Sequence, residues 1–253
     1  MKTTRMVAVS GLAMLSIFLA DTSAQTVGVL DTYVGGEAGY GRAMSGVQTT
    51  VSGSGYFAAS SVTAINDIGE LDLEGNGFAG GGFAGLDFLE AGSVVVGAEA
   101  SFTFLTNEEA AVNTVTYPCC APTEFTLTQT AKPQWLLTVR PRVGVPVGQA
   151  FVYATGGWAL AGTASEETFT DDFASANQSA AIDPVHGWTY GGGVEITLFG
   201  PVSVRGEFLH NTFDASVEST NLTTTGSTWP DRIFTHSTDL SFSTVRGGVK
   251  FSF

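Results

Sequence analysis

The chain has 253 residues, in which 10 Lys and Arg face 24 Asp and Glu for a net charge of −14. Only 13% of its residues are charged, against about 25% in a soluble globular domain, while 32 are Gly and 18 are Phe. Such acidity leaves no basic surface to displace counterions from phosphates, which excludes nucleic acid as a partner, and a 43% hydrophobic content excludes a wholly disordered chain.

Lys2 and Arg5 open the chain, Met6 to Ala20 is apolar apart from small residues, and Thr22-Ser23-Ala24 supplies the small residues of a cleavage site. Residues 1–24 are therefore read as a secretory signal peptide, too short for a spanning helix, and residues 25–253 as one exported domain. Its removal takes away Lys2, Arg5 and Asp21 and leaves 8 basic and 23 acidic residues.

Eight segments then alternate with period two, near 32–43, 77–88, 93–104, 134–145, 149–161, 187–198, 201–213 and 240–253. In the third, Val94, Val96, Ala98, Ala100, Phe102 and Phe104 share one face, with Gly97, Glu99, Ser101 and Thr103 opposite. Alternation over this length is a strand signal. Short connections at 89–92, 146–148 and 199–200 alternate with long polar ones at 44–76, 105–133, 162–186 and 214–239. This rhythm predicts an all-β fold, a transmembrane antiparallel up-and-down β-barrel of eight strands, each long enough to cross a bilayer.

Between the third and fourth segments stand Cys119 and Cys120, flanked by Pro118 and Pro122. Adjacent Cα atoms lie about 3.8 Å apart, below the usual disulfide range of about 4.4–6.8 Å, so a vicinal disulfide would be strained and the pair reads as a turn in a loop. Gly80 to Gly85 matches G-x-G-x-x-G, but a strand follows where a phosphate-binding helix is needed. His186, His210 and His236 are far apart in sequence and show no metal spacing. Neither an enzyme nor a cofactor is expected.

The polar face of the strands decides which side is inside. A soluble, lipocalin-like barrel would need abundant charge on its exterior, whereas this face is mostly Gly, Ser and Thr, as suits a narrow interior. The charges assigned to that interior are Glu37, Asp87, Glu99, Arg140, Arg142, Glu195, Arg205, Glu207, Arg246 and Lys250, five acids and five bases. They read either as a pore lining or as a self-neutralising plug. Unpaired charges would be costly there, which favours the plug. The other face carries Phe88, Phe102, Phe104, Trp135, Phe151, Trp188 and Tyr190, placed toward strand ends like interfacial aromatic girdles. The remaining acids fall outside the interior, above all in the four long connections.

The segments Tyr33-Val34-Gly35-Gly36, Gly92 to Glu99, Leu137 to Gly144, Val152 to Gly157, Gly187 to Glu195 and Thr244 to Phe253 together resemble the small eight-stranded outer-membrane barrels of Gram-negative bacteria, the outer-membrane β-barrel domain family often labelled "porin family". The likeness covers the mature chain, departing from the pattern in a long first connection and in Cys119-Cys120. It implies a bacterial outer-membrane location, with outer-membrane lipid around the wall. It also implies an assembly signal at Val249, Phe251 and Phe253, read by the barrel-assembly machinery. The expected role is structural or surface-interacting, with four long acidic extracellular loops available to host or environmental ligands. A small pore or carrier for small solutes is the alternative.

Overall fold

The computed structural model describes residues 31–52, 56–106, 109–213, 216–224 and 227–253. The segment read as a signal peptide lies outside the described residues. Among the described residues ten strands follow one another as β1 (Asp31–Val51), β2 (Glu70–Ala91), β3 (Val94–Leu105), β4 (Glu109–Thr116), β5 (Glu124–Val147), β6 (Ala150–Asp171), β7 (Ala174–Phe199), β8 (Val202–Phe213), β9 (Ser216–Thr224) and β10 (Ser227–Ser252). One helix, α1 (Ala59–Ile68), separates β1 from β2. Eight strands form a closed antiparallel ring in the order β1, β2, β3, β5, β6, β7, β8, β10, with β10 pairing back onto β1 from Tyr33↔Ser252 to Val51↔Phe234. These are the eight predicted segments. Closure removes both sheet edges, so every ring strand has two hydrogen-bonded neighbours.

Three tight turns, between β2 and β3, β5 and β6, and β7 and β8, close one end of the ring. Each holds a glycine at positive φ (Gly92, Gly148 and Gly200), where a side chain would be strained. At the other end the four connections expected to be loops are mostly strand. β1, β2, β5, β6, β7 and β10 run 21 to 26 residues, about twice the 9–11 residues that a bilayer crossing takes. Their outer halves, with β4 paired to β5 and β9 paired to β10 and β7, build a second ordered layer. The hydrogen-bonding demand of a long backbone explains this: a hairpin that is simply extended pairs its N–H and C=O groups, whereas a long loop leaves them to water.

In most strands the same parity faces inward along the whole length. In β1, residues 41, 43, 45, 47, 49 and 51 are all buried. In β5 the parity changes: 125 to 133 bury odd positions and 136 to 144 even ones, across a bulge in the pairing with β6 between Pro133 and Trp135. Proline cannot donate to the ladder, so a bulge there costs little. The Gly80–Gly85 run lies within β2, where a side chain on Gly81 would collide with the Phe102 backbone of β3.

The Cys119–Cys120 pair, expected to be a plain turn, is joined as a disulfide across adjacent residues at the β4–β5 turn. Phe151, expected on the outer face with the other aromatics, turns inward instead. It pairs in register with the buried Glu195 and holds its ring 5.2 Å from the Arg142 guanidinium. Phe102, Phe104, Trp188 and Tyr190 do face outward and are exposed, alongside Val139, Val194, Phe208, Val245 and Val249. The outer wall of the ring is thus apolar and its inner face polar.

Candidate functional site

The ten charged residues singled out in the sequence are all buried within the ring, none more than 7% exposed. Strand register brings them together. Glu99 lies opposite Arg140 on β3 and β5, Glu195 opposite Arg205 on β7 and β8, and Arg246 opposite Glu207 on β10 and β8. Glycines make room for them: Glu37 faces Gly248, Lys250 faces Gly35 and Arg142 faces Gly97.

They divide into two groups, each neutral. The group nearer the tight turns holds Asp87, Arg142, Glu195 and Lys250. Arg142 grips Asp87 through Nε at 2.9 Å and Nη2 at 2.6 Å, and donates from Nη1 to Glu195 at 2.8 Å, while Lys250 donates to the other oxygen of Glu195. The middle group holds Glu37, Glu99, Glu207, Arg140, Arg205 and Arg246. Arg205 donates to Glu99 at 2.8 Å and to Glu37 at 3.0 Å, and lies 3.0 Å from Glu207. Arg140 donates to Glu99 at 2.7 Å and Arg246 to Glu207 at 2.7 Å. Bidentate and shared contacts of this kind are the strong form of a charged hydrogen bond.

Tyr33 donates to Glu99 at 3.1 Å and Tyr153 to Glu207 at 2.9 Å. The Arg205 guanidinium sits 3.7 Å above the Phe83 ring. Sequence reasoning did not place these aromatics in the network. The signal was present for Tyr33, which shares the period-two face of Glu37, whereas Tyr153 shares the face of Phe151, which the sequence reading assigns to the outer wall.

Beyond the charged layer the interior becomes apolar. Leu105, Leu136, Phe213, Leu240 and Phe242 form one buried ring with small alanines between them. Further out a larger core unites Val51, Phe57, Ile65, Phe125, Leu127, Phe169, Leu222 and Phe234. Helix α1 supplies Ile65 and is fastened across the end of the barrel. Val51 N–H donates to Asn66 Oδ1 at 2.7 Å and Thr49 N–H to Gly69 O at 2.8 Å. A polar seam crosses between the apolar layers: Gln129 donates to Thr49 at 2.7 Å, and His236 contacts Thr220 and pairs with Glu167.

The other histidines stay separate. His210 lies on the outer wall beside Tyr190 and meets Ser243 Oγ at 2.8 Å, while His186 packs near Trp158. Among the described residues no three His, Cys, Asp or Glu side chains are grouped as metal ligands. Val249, Phe251 and Phe253 point outward at the end of β10 and are exposed. Exposed acids collect on the outer layer, at Glu70, Asp72, Glu74, Glu124, Glu166, Asp172 and Asp239. Arg42 pairs with Glu74 at 2.7 Å on the surface.

Comparison with known proteins gives a consistent picture. The outer membrane protein β-barrel domain family matches residues 10–253. A 31 kDa outer-membrane immunogenic protein of Brucella melitensis is 30% identical over 187 residues, spanning 73% of this chain and 70% of the relative. The protein of the same description from Brucella suis gives the same figures. Among solved structures, the outer membrane protease OmpT of Escherichia coli aligns with 92% of this chain and all of its own (TM-score 0.48, 9% identity). Neisserial surface protein A aligns with 88% of this chain and 97% of its own (TM-score 0.37, 11% identity).

Proposed function

The chain belongs to the outer membrane protein β-barrel domain family and resides in the bacterial outer membrane, and from that premise we propose that it acts as a closed barrel presenting a folded head at the cell surface, in a structural and surface-interaction role. The observation that carries this reading is the filled interior. An ion entering the ring meets a network of ten charged side chains already paired with one another by charge, and beyond it two apolar layers. Neither offers a hydrated path, because buried charges in a narrow barrel are held in place by their partners and an apolar constriction excludes water.

In such barrels the short turns face the periplasm and the longer connections face the outside. The extended hairpins and α1 then form the external head, and its exposed carboxylates give that surface an anionic field that favours contact with cationic partners in the surroundings. The Brucella relatives are named as immunogenic, which accords with a head exposed at the surface. Purified, refolded mature protein in a planar bilayer is expected to give no stable unitary conductance. Reproducible current steps would replace this reading with that of a small pore.

The wall of Val, Phe, Trp and Tyr side chains is suited to outer-membrane lipid. Val249, Phe251 and Phe253 stand outward at the terminal strand, where the barrel-assembly machinery would meet them. Deleting Phe253 is expected to lower the amount of heat-modifiable protein in outer-membrane fractions several-fold. Unchanged surface levels of the truncated chain would remove the assembly role from this residue.

A further inference from the structure

At the outermost end of the head, the start of α1, the β4–β5 turn and the β6–β7 turn enclose a cleft of about 280 Å³. That is slightly below the roughly 300 Å³ at which pockets for drug-sized molecules begin, so it suits a small ligand. Tyr56, Phe57, Tyr117 and Phe173 form its aromatic walls, and the Cys119–Cys120 disulfide forms part of its rim. The rim is braced, with Ser61 Oγ 3.3 Å from Cys119 Sγ and Cys120 N–H donating to Tyr117 O at 3.2 Å.

Asp171 is the single formally charged group lining the cleft among the described residues. Its carboxylate is held rigidly. The N–H groups of Phe173 and Ala174 donate to Oδ1 at 2.8 and 2.6 Å, and Tyr117 and Tyr56 donate to Oδ2 at 2.8 and 3.2 Å. Burial and the adjacent carboxylate push the Tyr56 phenol up to about 12 and the Tyr117 phenol higher still, so both remain neutral donors at neutral pH. Among the described residues Asp171 has no Lys, Arg or His partner, in contrast to the paired acids of the barrel interior.

Charge and shape narrow the ligand. An anion would be repelled by Asp171. A hard divalent metal ion requires six or more oxygen ligands and the charge of several carboxylates, and this cleft offers one carboxylate already engaged by four donors. A weakly hydrated organic cation needs only a negative charge and the faces of aromatic rings, which carry a negative quadrupole. We propose that this cleft binds a small organic ammonium ion, its positive centre set against Asp171 and enclosed by Tyr56, Tyr117 and Phe173. The site is external to the barrel interior, so its occupancy does not depend on whether the barrel conducts.

The test titrates choline chloride into the refolded mature chain in a maltoside detergent, at constant ionic strength, and reads binding by saturation-transfer NMR. The uncharged carbon analogue 3,3-dimethylbutan-1-ol serves as the comparison. Choline is expected to bind saturably, and the neutral analogue about tenfold more weakly. Asp171→Asn, which retains the backbone-accepting oxygen, is expected to weaken choline binding about tenfold, and Phe173→Ala several-fold. Phe173 is 67% exposed, so its truncation leaves the fold intact even if Asp171→Asn disturbs the turn. Equal binding of the neutral analogue, wild-type affinity in a folded Asp171→Asn or Phe173→Ala chain, or no saturation would overturn the proposal.

Discussion

Replacing Glu99 by Gln is expected to lower the unfolding free energy of the barrel by about 3 kcal/mol or more, measured as a shift of the urea midpoint in detergent. Glu99 accepts from Arg140, from Arg205 and from Tyr33, and is 3% exposed. Neutralising it leaves two guanidinium groups short of one charge in a space that water enters poorly, and the remaining acids, Glu37 and Glu207, already serve Arg246 as well. Removing one member of a buried pair costs far more than the pair contributes relative to an apolar replacement. The surface pair Arg42–Glu74, with both side chains more than half exposed, provides the contrast. Glu74→Gln is expected to shift stability by less than about 1 kcal/mol. Equal effects of the two substitutions would show that the interior charges are solvated, as in an open channel.

Replacing Ile65 by Asp is expected to unfold the head while leaving the barrel standing. Ile65 is fully buried and anchors α1 in a core made of residues from β1, β4, β5, β6, β7, β9 and β10. Loss of its side chain alone would cost about 2–5 kcal/mol, and an unpaired buried carboxylate adds to that. The head has its own apolar core, separated from the charged network by the layer around Leu136 and Phe242. Limited proteolysis of the variant should therefore cut within the connections at 52–69 and 214–227, with the remaining barrel still migrating as a compact species on unheated gels. Loss of the compact species along with the head would show that the two cores fold as one unit.

The interior charges were legible because period two is strict in a strand. Once Phe102 and Phe104 are assigned to the lipid, Glu99 and Thr103 can only point inward. The head was less legible, although a signal existed. In Glu124-Phe125-Thr126-Leu127-Thr128-Gln129-Thr130-Ala131 the apolar residues alternate with Thr, and that stretch is strand with Phe125, Leu127 and Ala131 buried. Its Ser and Thr content resembles a loop, and the lipid that makes the barrel strands conspicuous is absent at this height. Helix α1 was hidden for a different reason: it is ten residues long, without acidic residues in its first turn or basic ones in its last, and it is held by contacts to β1 rather than by a side-chain N-cap.

The opening contrast of strong acidity and few charges now has a location. By itself the sequence determined a closed ring of eight alternating strands, an apolar exterior and an interior with equal acids and bases, because alternation and lipid contact leave each side chain only two directions. Tertiary structure alone decided which acid meets which base, that the barrel continues into a head with its own apolar core, and that Asp171, Tyr56, Tyr117 and the Cys119–Cys120 disulfide share one cleft. Those residues lie on separate hairpins, and only strand register and the placement of α1 bring them together.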